Sequence, residues 1–247
     1  SPCATFGYAL GQAAPGDYVG PAAGTYIQPN VIVTPNVIIQ GAGASSTFVQ
    51  AAAAPSAAGI PVFRVLSGTV ATLRGMTIRY GAGIRNDGGL TLEDSIVVSN
   101  TALLDGGGLR NSGSLTLRNT SLIGNSANRG GGLYNAGVMT LTNSVVAGNT
   151  AVNSAGIHNA GALTLIRSLI ASNVAVDSGG GLYNATGATL ALRASAVVSN
   201  SANTGGGLLN TAGGMADIGN STLARNLAVD SAGINNTIAM TTAGPAK

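Results

Sequence analysis

Asparagine recurs in this chain in two interlocked series, and that regularity limits the fold more than anything else in the sequence. One series is Asn86, Asn111, Asn135, Asn159, Asn184, Asn210 and Asn236, each closing a Gly-apolar-x-Asn unit. The other is Asn100, Asn125, Asn149, Asn173, Asn200 and Asn226. Spacings stay between 24 and 27 residues in both. A period of this length marks a repeat architecture in which each unit stacks on its neighbours.

Within one period the chain reads as three short strands. In the coil from Gly131 to Gly156 they are Gly132–Asn135, Met139–Leu141 and Ser144–Ala147. Gly, Asn and Ser separate them, as turns require. Columns across coils separate inside from outside. Val97, Leu122, Val146, Ile170, Val197 and Leu223 form an aliphatic column expected to point inward. Ser95, Thr120, Ser144, Ser168, Ser195 and Ser221 share its parity, so these hydroxyls are expected inside, bonding to adjacent coils. The pairs Leu90/Leu92, Leu115/Leu117, Met139/Leu141 and Leu163/Leu165 alternate with polar residues at period two, as half-buried strands do.

The fold class that follows is all-β, a right-handed three-sheet parallel β-helix of about nine coils, roughly 45 Å long. Residues 1–26 are expected to form a cap and lead-in segment, with a short helix from Phe6 to Ala14, and 27–247 a single solenoid domain. An asparagine amide both donates and accepts, so both Asn series are expected to form ladders that satisfy buried turn groups. The Gly runs before each first strand provide positive φ.

Several classes are excluded. Charged residues make up only 8 % of the chain, and Lys247 is the only lysine, so no clustered basic surface marks a nucleic-acid binder. No apolar run is long enough for a transmembrane helix. Leucine-rich repeats need a fixed leucine ladder with one Asn. Calcium-binding nonapeptide rolls need far more than the seven Asp present. Cys3 is the only cysteine, so it is a small residue near the cap or a thiol that pairs with another chain. The chain begins at Ser1 without an initiator Met, as expected of a secreted or cell-surface product whose leader has been removed.

Chemistry is sparse. No motif calls for a cofactor or a metal. The acids of one coil, Asp87, Glu93 and Asp94, do not share a face, and Asp105, Asp177 and Asp230 are expected as solvated turn residues coils apart. No long loop is expected to build a cleft. His158 is expected on the outer surface, in the column Arg85, Arg110, Tyr134, His158 and Tyr183, which could contact sugars by stacking. Thr77, Thr91, Thr116, Thr140 and Thr164 are read as an outward threonine column, a pattern similar to ice-binding solenoids, although it lapses at Ala191.

The run Pro15-Gly16-Asp17, then Ala23–Tyr26, then Ile38–Gly43, with repeats such as Gly130–Asn135, resembles right-handed parallel β-helix repeat proteins of bacterial surfaces and secretions. The polymorphic outer-membrane and adhesin-like groups belong to that family. The resemblance implies extracellular display, in adhesion or as a stalk. The expected function is a non-enzymatic extracellular structural protein that self-associates, end to end into a filament, through the bare last coil at Thr237, Ile238, Ala239 and Met240. Its expected partner is therefore a second copy of itself. The alternatives are a monomeric adhesin or carbohydrate-binding module with glycan partners, then a polysaccharide lyase or hydrolase, or an ice-binding protein.

Overall fold

A computed structural model describes residues 5–55, 59–231, 233–236 and 240–243, with side chains up to residue 234. The chain is a parallel β-solenoid, as the two Asn series require. Every ladder pairs one coil with the next in register: Leu109 with Leu133, Leu117 with Leu141, Val97 with Leu122. Two sheets have nine strands each and so bound about eight full turns rather than nine, while partial turns extend the remaining long sheet to ten strands.

The first sheet contains Ile84–Asn86, Leu109–Asn111, Leu133–Asn135 and their equivalents. The second contains Gly89–Glu93, Ser114–Arg118 and Val138–Thr142, and the third Ile96–Val98, Ser121–Ile123 and Val145–Ala147. The inward columns are as the alternation predicts. Val97, Leu122, Val146, Ile170 and Val197 are fully buried, with Leu92, Leu117, Leu141, Leu165 and Leu192 beside them. They belong to one continuous core running through the coils.

A fourth sheet corrects the three-sheet expectation. Ser126–Arg129, Thr150–Asn153, Val174–Ser178, Ser201–Thr204 and Leu227–Asp230 pair in parallel just after the second Asn series. Its inward column is alanine at every coil. Ala151, Ala175 and Ala202 join Ala155 in a small core of their own. Methyl groups suffice there because this sheet closes a narrow corner of the coil.

Both Asn ladders form. In the first, each Nδ2 donates to the next coil's Oδ1, at 2.7 Å from Asn86 to Asn111 and 2.8 Å from Asn111 to Asn135. It continues through Asn159, Asn184 and Asn210. In the second, one Oδ1 accepts from both the backbone N–H and the Nδ2 of the preceding coil's asparagine, as Asn149 does from Asn125. The serines form a third ladder: Ser168 Oγ accepts from the Ser144 N–H at 3.2 Å and donates to the Ile166 carbonyl. Buried turn groups are thus satisfied coil by coil, where an unpaired one costs about 1–3 kcal/mol.

Glycine fills most of the corners before the first sheet, with Ser154 and Ala155 standing in for it in one coil. Gly130 has φ of +64°, and a Cβ on Gly131 would run into the Thr150 carbonyl oxygen. The other corners use left-handed residues of any type, such as Asn143, Arg167 and Ala194.

At the N-terminal end the helix runs Phe6–Gln12, shorter than expected, and Thr5 caps it by accepting from the Tyr8 N–H. Phe6 meets Tyr26 and Phe63 edge-on, covering the first coil. Tyr18–Val19 and Gly24–Ile27 are already hydrogen-bonded into the second and third sheets. At the other end, Met240–Ala243 pairs with the strand Met215–Gly219. Cys3 and the segment Thr237, Ile238 and Ala239 lie outside the described residues, and at Asn236 and Met240 only the backbone is described.

Candidate functional site: an arginine-floored groove

The outward column of the first sheet positions the site. Strand register stacks Arg64 on Arg85, Arg85 on Arg110, and Arg110 on Tyr134, with His158 and Tyr183 following. Three guanidinium-bearing residues therefore occupy three successive coils, one strand spacing of about 4.8 Å apart. Arg64 extends the column that the sequence began at Arg85. The Arg64 to Arg85 interval is only 21 residues, against 24 or 25 further along the column, which hides the match. The signal was the apolar-Arg pattern of Phe63-Arg64, repeated in Ile84-Arg85.

Arg64, Arg85 and Arg110 line a groove of about 480 Å³. Gly59 and Pro61 line it from the inserted loop, and Ala102, Leu103, Leu104 and Asp105 from the segment after Asn100. This corrects the expectation that no loop shapes a cleft. Asp87 lies 2.9 Å from the Arg85 Nε and 3.7 Å from the Arg64 Nε. Among the described residues Arg110 makes no ion pair, and the buried Arg64 Nε makes no hydrogen bond. Three cations against Asp87, with Asp105 neutralised by Arg129, leave the floor positive.

Asp105 is not the solvated turn residue expected. Its carboxylate receives both Nε and Nη2 of Arg129, at 2.8 and 3.1 Å, and its side chain is only 13 % exposed. The hydrogen bond to Asp105 raises the Arg129 pKa further. Arg129 in turn lies over the Tyr134 ring, 5.3 Å from its centroid.

His158 is not a surface residue. It stands in the outward column, in register with Tyr134 and Tyr183, but its ring is stacked between theirs at centroid distances of 5.0 and 4.7 Å, leaving it 8 % exposed. Sequence parity shows which face a residue occupies, not what covers it. The ring faces are spent on one another, so sugar stacking has no free face at His158. Burial lowers the His158 pKa to about 4, Arg129 adding to the effect and Asp105 opposing it. His158 is therefore a neutral packing residue near pH 7.

The threonine column also shifts. Thr77 belongs to the third sheet, where it pairs with Ile96 and is buried. The member in register with Thr91, Thr116, Thr140 and Thr164 is Thr72. Glu93 pairs with Arg118, and Asp94 accepts from the Asn119 amide. No group of three or more metal-ligating side chains occurs among the described residues.

No protein-family model and no curated sequence matches the chain. Solved structures do. The pectin methylesterase PemA from Erwinia chrysanthemi is 10 % identical and overlays with a TM-score of 0.50, covering 87 % of this chain and 73 % of its own. The A-module of the mannuronan C-5 epimerase AlgE4 from Azotobacter vinelandii is 14 % identical at a TM-score of 0.41, covering 90 % and 82 %.

The overlay on the pectin methylesterase and the strand register show the parallel β-helix fold. The likeness is one of fold. It corrects the expected function, because the pectin methylesterase that shares this architecture is, by its name, an enzyme. A solenoid of this kind is thus no argument for a non-enzymatic scaffold, and nothing in the described residues supports self-association into a filament. No described helix is long and apolar enough to cross a membrane.

Proposed function

We propose that the chain is directed at acidic polysaccharides and takes an extended anionic glycan along the groove of the first sheet, outside the cytoplasm where such polymers lie. The observation that carries this is the stack of Arg64, Arg85 and Arg110 on successive coils of one groove. Guanidinium groups engage carboxylates through paired, charge-assisted hydrogen bonds. Their repeat of about one strand spacing is comparable to the length of one sugar in an extended chain, so carboxylates of a polyuronate can meet cations in series. The pectin methylesterase of the same fold acts, by its name, on pectin.

Electrophoresis of the full chain through gels containing polygalacturonate, alginate or neutral glucan tests the proposal. Retardation by the acidic polymers alone is expected, with most of it lost in Arg110→Ala. Equal migration in all gels would reject the proposal. Product analysis of the same polymers after incubation separates binding from turnover.

A further inference from the structure

We infer that the groove selects acidic glycans whose hydroxyls carry short acyl esters, such as O-acetyl groups; this rests on the acidic-polysaccharide proposal above. The floor of the groove is cationic, but one wall is apolar and exposed. Leu103 is 68 % and Leu104 73 % exposed, and both line the same groove as the three arginines.

Neither leucine is there to pack the coil. Thr101 pairs with Ser126 and Asp105 with Arg129, so five residues here oppose four in the next coil. The extra residue makes a bulge, a device that re-aims side chains. The backbone carbonyl of Leu104 receives the N–H groups of both Asn128 and Arg129, which anchors the bulge. Leu103 is seated against the inserted loop, for a Cβ on Gly59 would lie 3.4 Å from its Cδ1 and Cγ. The following coil has only Ala127 and Asn128 in this stretch, the alanine buried and the asparagine exposed. Two leucines held in place beside a cationic floor form an amphipathic wall.

The chemistry of that wall names the ligand. A bare sugar hydroxyl pressed on leucine loses water and gains no partner. An acyl ester presents methyl groups that bury apolar area against Leu103 and Leu104, while the ring carboxylate remains free for the arginines. A polymer that is acidic and acylated satisfies both surfaces at once.

Titration calorimetry of the full chain with mannuronate-rich alginate, chemically O-acetylated and then deacetylated from the same batch, tests this. Tighter binding of the acetylated polymer is expected, roughly fourfold for each methyl covered. In Leu103→Ser/Leu104→Ser the ratio of the two affinities should fall to one. Both leucines are exposed, so the variant should fold as the parent does. Equal affinities in the parent, with binding still lost in Arg110→Ala, would overturn this inference alone, as would a ratio that survives in the double variant. No binding of either polymer would overturn it together with the groove proposal.

Discussion

The hydroxyl of Ser154 lies 3.0 Å from Nδ1 of His158, and both are buried in the coil that alone carries a histidine. Ser154 has φ of +61° in a corner where Gly130 and Gly179 occupy the neighbouring coils. Serine there accepts backbone strain and supplies the partner that the buried imidazole needs.

Burial of the His158 ring makes stability depend on pH. Above about pH 6.5 the ring is neutral in both folded and unfolded chains. The folded value is lowered to about 4, so between these limits the unfolded chain binds a proton that the folded chain does not. Stability therefore falls as pH drops from about 6.5 to 4 and levels off below, a loss on the order of 3 kcal/mol. Urea denaturation at pH 7 and pH 4.5 should show this loss in the parent and a smaller one in His158→Phe. Equal losses would show that other groups cause it.

The second Asn ladder should be the most sensitive to single substitutions. Asn149 Oδ1 accepts two bonds from Asn125, and its Nδ2 donates to the Leu122 carbonyl and to Asn173 Oδ1. Asn149→Ala removes all four and leaves buried partners unsatisfied. It should cost on the order of 3 kcal/mol or more. Asn128→Ala, on the exposed side of the fourth sheet, should change stability by about 0.5 kcal/mol at most. Chemical denaturation of the two variants side by side checks the contrast.

Ala194 turns the corner between the second and third sheets at φ of +49° with its side chain exposed. Relief of that strain should make Ala194→Gly more stable by about 1 kcal/mol. Ala202→Gly should act in the opposite direction, because Ala202 fills the small core of the fourth sheet. Thermal melts that moved the same way for both would contradict this account of the corners.

Much of this architecture was legible in the residues themselves. The period-two alternation of Leu90/Leu92 and the paired Asn series fix register, since only in-register stacking brings like over like. The fourth sheet was not seen because Ala127, Ala151, Ala175, Ala202 and Ala228 are small and lie next to turns, where alanine gives little strand signal. Thr77 follows the corner at Gly75 as Ile96 follows the one at Asp94, so it belongs to the third sheet although Met76-Thr77-Ile78 alternates like a second-sheet strand. The groove was hidden for a different reason. Its walls come from an insertion and a bulge, the two places where the period breaks, and a repeat analysis looks through such breaks.

Binding should be electrostatic and independent of fold stability. Arg85 is 42 % exposed and its pair with Asp87 is partly solvated, so Arg85→Ala should change stability by no more than about 1 kcal/mol. The same variant should bind alginate at least tenfold more weakly. Raising salt from 0.05 to 0.5 M should weaken binding by the parent more than by Arg85→Ala. Identical salt dependence in both would place the polymer elsewhere.

A crystal structure of the chain with an acidic hexasaccharide would examine the groove most directly. The oligosaccharide should run parallel to the solenoid axis, with carboxylates within hydrogen-bonding distance of Arg64, Arg85 and Arg110. Density confined to another face, such as the threonines of the second sheet, with the three guanidinium groups unoccupied, would contradict the assignment.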